Sequence, residues 1–364
     1  MTDRSLTIGD ARIDDASDCY VIAEIGHNHQ GSVEQAKLLF AEAKRCGVDA
    51  VKVQKRDNRS LYTDAYFNKP YENENSFGPT YGLHREALEL GRAEYEELCD
   101  YAREIGVTFF ATAFDQPSAD FLADLDMPAY KIASGDLTNT PLLRHVARIG
   151  KPVILSTGGA TLADVQRAYA VAREENEQVA VLQCTAGYPA AWDEINLRVI
   201  QSYREAFPEA VVGLSSHDNG IAMAAAAYAL GARIVEKHFT LDRSMRGTDH
   251  SFSLEPQGLR KMVRDLRRLR VAVGDGEKRS YQSEAGPLEK MSKKLVAARD
   301  LPQGHVLGPD DIATRSPGDG LPPYEIDRVL GKVLLRALAG EQELTFEVLG
   351  AAEASAAPVA EHGV

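Results

Sequence analysis

Residues 211–240 read VVGLSSHDNGIAMAAAAYALGARIVEKHFT: two short apolar runs, 211–216 and 233–239, flank an alanine-rich segment. Both runs are built on Val, Ile or Leu and turn polar at their ends, the second carrying His238 just before Phe239, with His217 just past the end of the first. Runs of this length with no polar alternation are strands buried on both faces, the kind found in parallel sheets. The segment 221–230 between them has helical length and supplies the crossover that a parallel pair requires. The same unit recurs upstream, with strands expected at 20–26 (YVIAEIG), 50–54, 107–114, 129–134, 152–157 and 179–184. Helices are expected at 33–46, 92–105, 119–125, 141–149, 162–174, 197–207 and 256–273. Eight such repeats predict an α/β TIM (β/α)8 barrel, whose chemistry gathers at the C-terminal strand ends. Those ends bring together Glu24, Lys52, Gln54, Thr112, Lys131, Ser134, Ser156, Ser215, His217 and His238.

Composition narrows the function. The 364 residues are 44% hydrophobic, enough for one barrel and a small further domain. A net charge of −13 argues against nucleic-acid and anionic-membrane partners, which select for a basic face. A local cluster of lysines still suffices for a small phosphorylated substrate. The sequence holds no apolar stretch near the roughly 20 residues of a membrane span, and its first residues lack the apolar core of a signal peptide. Four cysteines without CxxC spacing read as reduced thiols, and a cytoplasmic enzyme is expected.

The barrel domain is expected over residues 1–277, with a hairpin at 6–13 turning on Gly9-Asp10 and plugging the barrel bottom. Ser32-Val33-Glu34-Gln35 reads as a capping box, and Gly47 as the stop of the same helix. Residues 56–91 form a loop rich in Asn, Tyr and Gly, whose aromatics favour an ordered lid. A polar linker (278–293), a small mostly β domain (294–350) and an alanine-rich disordered tail (351–364) complete the chain.

His217 and His238 end neighbouring strands about 4.8 Å apart, close enough to converge on one ion. Imidazole suits Mn, Fe, Co and Zn, and two histidines with open positions fit a catalytic metal. Hydrogen-bonded rim residues are an equal alternative from spacing alone. His27 and His29 are further candidates that also read as loop-shaping residues. Glu24 sits among apolar neighbours and needs a partner, which Lys52 supplies. A barrel-interior ion pair and an acid/base role are equally open. Lys52 and Lys131 with Ser134, Ser156 and Ser215 suit an anionic, phosphorylated substrate.

The strings AEIGHNHQG (23–31), VKVQ (51–54), YKIASGD (130–136), LSTG (155–158), QCT (183–185) with Tyr188-Pro189, GLSSH (213–217), EKHFT (236–240), GTDH (247–250) and SLEP (253–256) resemble sialic acid synthases. The terminal unit is similar to the antifreeze-like (SAF) domain of those enzymes. The resemblance covers nearly the whole chain. It implies condensation of phosphoenolpyruvate with an N-acetylated hexose to a nine-carbon 2-keto-3-deoxy acid, with release of phosphate. It also implies a divalent metal (Mn, with Mg or Co as alternatives) and a domain-swapped homodimer in which one SAF domain covers the other subunit's site. By motif, His217 and His238 match metal ligands, and the metal would polarise the open-chain aldehyde. Glu24 matches the catalytic glutamate that orients or deprotonates a water. Lys52, Thr112, Lys131, Ser134, Ser156 and Ser215 match phosphoenolpyruvate-holding positions. Gln54, Tyr188 and Asp249 match sugar-side positions, with Asn75 of the loop as a further contact.

This chain departs from the family pattern where the sugar is chosen. Asp136 stands where many bacterial members carry glutamate, and Ala186 where asparagine is common. In the SAF unit the sugar-contacting arginine lines up with Ser316, leaving Arg315 as a shifted substitute; no serine imitates a guanidinium fork. The loop YENENSFGPTYGLHR looks like the animal-type enzymes, which take the 6-phosphorylated sugar. The acceptor is therefore N-acetylmannosamine, its 6-phosphate, or a diamino-sugar of the legionaminic or pseudaminic kind. Two alternatives are a synthase of eight-carbon acids, disfavoured by the SAF unit, and a non-catalytic carbohydrate-binding barrel, disfavoured by the intact Glu24, Lys52, Lys131, His217 and His238.

Overall fold

The computed structural model describes residues 4–351 and divides into two compact units between Asp275 and Gly276. In the first unit, strands β1 (Ser5–Ile8) and β2 (Ala11–Asp14) pair as an antiparallel hairpin. Eight parallel strands follow: β3 (Tyr20–Gly26), β4 (Ala50–Lys55), β5 (Thr108–Ala113), β6 (Tyr130–Ile132), β7 (Val153–Ser156), β8 (Val179–Cys184), β9 (Val211–Ser216) and β10 (Ile234–His238). They close into a barrel as β10 pairs with both β9 and β3. Every residue of β3, β8, β9 and β10 is buried, which is why these strands read as continuous apolar runs.

Local chemistry fixes the helix ends. The helix Val33–Cys46 starts where the Ser32 hydroxyl accepts the Gln35 amide at 3.2 Å, and stops at Gly47 with φ +90°. The helix expected from 119 begins instead at Gln116, because Asp115 accepts the Ser118 amide at 2.7 Å and Pro117 is suited to a first turn. The run expected to end at Ser134 stops at Ile132, since Ser134–Asp136 turn into one 3₁₀ turn.

The hairpin packs against the N-terminal strand ends: Leu6, Ile8 and Ile13 are buried in the barrel core, and Arg4 donates to the carbonyls of Arg204 and Pro208. At the opposite end, residues 56–91 are ordered as three short helices, Asn58–Leu61, Asp64–Phe67 and Tyr81–Glu86. The rings of Tyr62, Tyr66 and Tyr71 pack around Tyr81 at 4.9–5.3 Å between centroids. Aromatic packing of that kind gives a segment its own small core.

Strand register brings the polar residues together. Glu24 lies beside Lys52 on one side and His238 on the other; Gln54 faces Thr112, and Thr112 faces Lys131. Ser215 is the cross-strand neighbour of both Cys184 and Glu236.

In the second unit the polar stretch expected as linker carries a short exposed helix, Ala285–Met291. Beyond it, β11 (Lys294–Ala297) pairs with β12 (Ile312–Arg315), and β13 (Val333–Leu334) with β14 (Leu349–Gly350), around a core that includes Leu295, Leu307, Val329 and Leu344. The single helical segment expected there is a 3₁₀ turn, Pro323–Glu325, running into the helix Ile326–Val329. The tail expected to be disordered lies outside the described residues, apart from Ala351.

Asp311 ties this unit together, accepting the Gly308 amide at 2.9 Å, His305 Nε2 at 2.7 Å and Arg299 at 2.6 Å. The Gly308 amide and then His305 hold its carboxyl down at about 2. A depressed carboxyl contributes stability above its unfolded value, near 4, and loses it as pH falls through the folded value. Asp311→Asn is therefore expected to melt below wild type at neutral pH, with the gap narrowing between about pH 4 and 2. Thermal melts of both proteins across that range check this; a constant gap would contradict it.

Candidate active site

Alternation along each strand aims one set of side chains at the barrel axis. Glu24 on β3, Lys52 and Gln54 on β4, and Glu236 and His238 on β10 stand two residues apart or in adjacent register, and all face one cavity of about 420 Å³. Thr112, Lys131, Ser134, Ser156, Tyr188, Ser215, His217 and Asp249 also line it.

At its floor, Lys52 forms an ion pair with Glu24 and donates to Thr112 Oγ1 at 2.8 Å. Gln54 Nε2 donates to Glu24 Oε1 at 2.7 Å. Lys131 hydrogen-bonds Ser156 Oγ, and the Gly158 amide donates to Ser134 Oγ at 2.9 Å. Burial lowers the Lys131 ammonium from its usual value, against the pull of Glu236.

Glu236 is absent from the sequence-derived set. It accepts from Ser215 Oγ at 3.0 Å and lies 3.7 Å from Lys52 and 3.9 Å from Lys131. Burial alone would raise its carboxyl, but Lys131, then Lys52, hold it at about 2. The available signal was its place two residues before His238, on the same face of one strand.

The two histidines meet at the rim, ring centroids 5.3 Å apart, with Tyr188 packed on His217 at 4.2 Å and Phe252 on His238 at 4.9 Å. His217 Nδ1 donates to the Thr185 carbonyl at 2.9 Å, which leaves Nε2 with its lone pair. Burial, then His238, lowers His217 to about 4, so the ring is neutral at pH 7. His238 Nδ1 is buried without a hydrogen-bond partner, 3.8 Å from Asp249 Oδ2. The neutral His217 ring and the orphaned Nδ1 of His238 fit a divalent cation held with open positions. Among the described residues no cluster of three or more His, Cys, Asp or Glu makes a closed metal cage. Behind this pair Lys237 donates to the carbonyl and carboxylate of Asp218, and Ser216 donates to Asp218. Those bonds bracket His217 in the chain.

Other expected residues lie elsewhere. Asn75 is half-buried in the lid and accepts the Gly247 amide at 3.0 Å, tying the lid to the segment that carries Asp249. Asp136 sits on the turn after β6, accepting from Asn139 at 3.2 Å, outside the cavity lining. Arg315 belongs to the second unit, exposed on β12, 3.9 Å from Glu341. His29 is buried and accepts the Gly31 amide at 3.1 Å, shaping its loop, whereas His27 lines the cavity with Arg56 and Arg85. Arg56 and Arg85 were not singled out from sequence; they sit in and beside the lid, where no strand period marks them.

A parallel barrel with paired lysines and carboxylates at its floor, two imidazoles at its rim and a trailing small β unit is the architecture of a sugar-acid synthase. Residues 39–278 match the NeuB family and 294–341 the SAF domain. The N-acetylneuraminate-9-phosphate synthase of Homo sapiens is 37% identical over 91% of this chain and 92% of its own length. The N,N'-diacetyllegionaminic acid synthase of Campylobacter jejuni is 36% identical over 86% of this chain and 95% of its own. Among solved structures, the sialic acid synthetase of Leptospira borgpetersenii with citrate superposes with a TM-score of 0.69 and 30% identity, covering 79% of this chain and 96% of that one. The chain belongs to the NeuB family, as a sialic-acid-type synthase with a C-terminal SAF domain.

Gly26 shows how tightly the site is set. Its φ is +53°, and a Cβ there would fall 3.0 Å from Asp249 Oδ2 and 3.2 Å from Glu24 Oε1. Gly26→Ala is expected to lose about 10²-fold in kcat/KM by displacing these groups, with a stability cost of about 1–2 kcal/mol from the left-handed backbone. Kinetics and urea unfolding separate the two effects; unimpaired turnover would show that this crowding does not matter.

Proposed function

We propose that this chain condenses phosphoenolpyruvate with an N-acetylated amino-hexose to a nine-carbon 2-keto-3-deoxy sugar acid, releasing inorganic phosphate. The observation that carries this reading is the buried Glu24, held between Lys52 and Gln54 and next to His238 at the strand ends. The relatives named for sialic-acid-type products support it.

In this reading Lys52, Thr112, Lys131, Ser134, Ser156 and Ser215 hold phosphoenolpyruvate. The ammonium groups and hydroxyls satisfy its phosphate and carboxylate oxygens, taking over from the internal bonds seen here. Gln54, Tyr188 and Asp249 face the sugar. C3 of phosphoenolpyruvate forms a bond to the aldehyde carbon, whose oxygen gains a proton. Water adds at C2, and the C2–O bond to phosphate then breaks. Glu24 orients that water and takes its proton, and Lys52 stabilises the carboxylate in the meantime. A divalent cation bound by His217 and His238, Mn2+ first and Mg2+ or Co2+ as alternatives, would act as a Lewis acid on the aldehyde oxygen. The aromatic rings of Tyr188 and Phe252 restrict water around the imidazoles.

The proposal includes a homodimer in which the SAF unit of one copy covers the barrel mouth of the other, and a cytoplasmic setting, supported by four free cysteines. Among the described residues no helix is long and apolar enough to cross a membrane.

Phosphate release from phosphoenolpyruvate, followed with Mn2+ and a panel of amino-hexoses, tests the reaction. Turnover is expected with at least one N-acetylated hexose, and His238→Ala is expected to abolish the metal-dependent part. No turnover across the panel would sink the reading, and a fully active His238→Ala would remove the metal assignment.

A further inference from the structure

The ladder between β9 and β10 ends at the pair Ser216 and Lys237, so His217 and His238 lie one residue beyond it. Each is anchored away from the other. His217 is tied toward β8: its Nδ1 donates to the Thr185 carbonyl at 2.9 Å, and its own carbonyl accepts the Ala190 amide at 3.3 Å. His238 is tied toward β3, where its register partner is Glu24 and the Phe239 amide donates to the Glu24 carbonyl at 2.8 Å. A cation shared by both rings needs a fixed separation between them. Anchors on opposite sides do not supply it.

A buried ion pair crosses the gap. Side chains alternate along a strand, and Ser215, His217, Glu236 and His238 line the cavity, so Ser216, Asp218 and Lys237 point away from it. Behind the wall, Lys237 Nζ donates to the Asp218 carbonyl at 2.6 Å and to Asp218 Oδ1 at 2.8 Å. Ser216 Oγ donates to the same carboxylate oxygen. Lys237 and Asp218 are 2% and 1% exposed. The residue next to one histidine thus grips both the main chain and the side chain of the residue next to the other.

Stability alone does not account for the pair. Burying two charges is costly, and apolar side chains of similar volume in their place are often as stable or more so. Asp218 Oδ2 is in addition buried without a hydrogen-bond partner, which adds to the cost. What apolar residues would not supply is a directional link that fixes one strand end against the next. We infer that Lys237 and Asp218 are positioning residues, a strut that holds the ends of β9 and β10 at the separation at which His217 and His238 share one divalent cation. Neither residue lines the cavity, so the effect passes through the two backbones. This rests on the metal reading above and names what sets the geometry of that site.

The test is Mn2+ binding to the full chain without substrates, followed by the electron paramagnetic resonance signal of free Mn2+. His238→Ala marks which binding belongs to this site, and thermal melts in EDTA report stability alongside. Lys237→Met is expected to weaken Mn2+ binding by about 10-fold or more, the scale seen when groups supporting a metal ligand are removed. It is also expected to melt lower, because Asp218 is stranded. Combining Lys237→Met with Asp218→Leu is expected to recover most of the melting temperature while the binding stays weak, a split that a merely structural pair would not show. Ser216→Ala, which removes one bond to Asp218 and keeps the pair, is expected to weaken Mn2+ by a smaller factor. It decides the matter if the other variants do not fold. Wild-type affinity in the folded double variant, or in Ser216→Ala where the others fail to fold, overturns the strut and leaves the metal site standing. If wild type itself binds no Mn2+ that His238→Ala removes, the metal reading fails and takes the strut with it.

Discussion

Two lysines and two carboxylates share the buried interior of the barrel, and the rest of the site is arranged around that fact. Lys52 touches Glu24 and lies near Glu236, which in turn lies near Lys131. Each charge would be costly to bury alone, and removing one partner of such a set costs several kcal/mol because the other is stranded. The cluster survives because parallel register holds its members in adjacent positions, and because Thr112, Ser156, Ser215 and Gln54 absorb the remaining donors and acceptors. In the proposed reading the same residues then meet the substrate oxygens. An enzyme site of this kind is a polar core that exchanges internal partners for a ligand's.

The rim works under a different constraint. Its imidazoles are packed among aromatic rings, and burial keeps His217 neutral, so its lone pair stays available at neutral pH. Their backbone is held from behind by Lys237 and Asp218, residues that do not line the cavity. The floor is thus stabilised by compensating charge, and the rim by packing and by hydrogen bonds on its far side.

The strands were legible because burial on both faces leaves an unmistakable apolar run, and the polar residues at their ends inherit positions from the barrel. That is how Glu24, Lys52, Lys131, Ser156, Ser215 and His238 emerged without side-chain geometry. Glu236 escaped because a single carboxylate in an EKH string looks like a strand terminus until its register with Ser215 is known. Helix starts shifted where a cap such as Asp115 outweighed apolar periodicity. Arg56 and Arg85 were illegible for another reason: their partner His27 is 29 residues from one and 58 from the other, and loop residues carry no period. The placement of Asn75 and Asp136 away from the cavity lining likewise depends on how a turn and a lid fold, which motif order does not encode.

The bond from Asn75 to the Gly247 amide fastens the lid to the loop bearing Asp249. In the proposed reading the sugar-side Asp249 is thereby carried on one of two surface insertions laced to each other, while Gln54 and the reacting groups stay on the strands. Such a division lets a lineage exchange one sugar for another by rewriting its loops, at little risk to the folding of the barrel or to the bond-forming chemistry. Diversity of product among barrels that share one reaction is then a natural outcome of where the lacing sits.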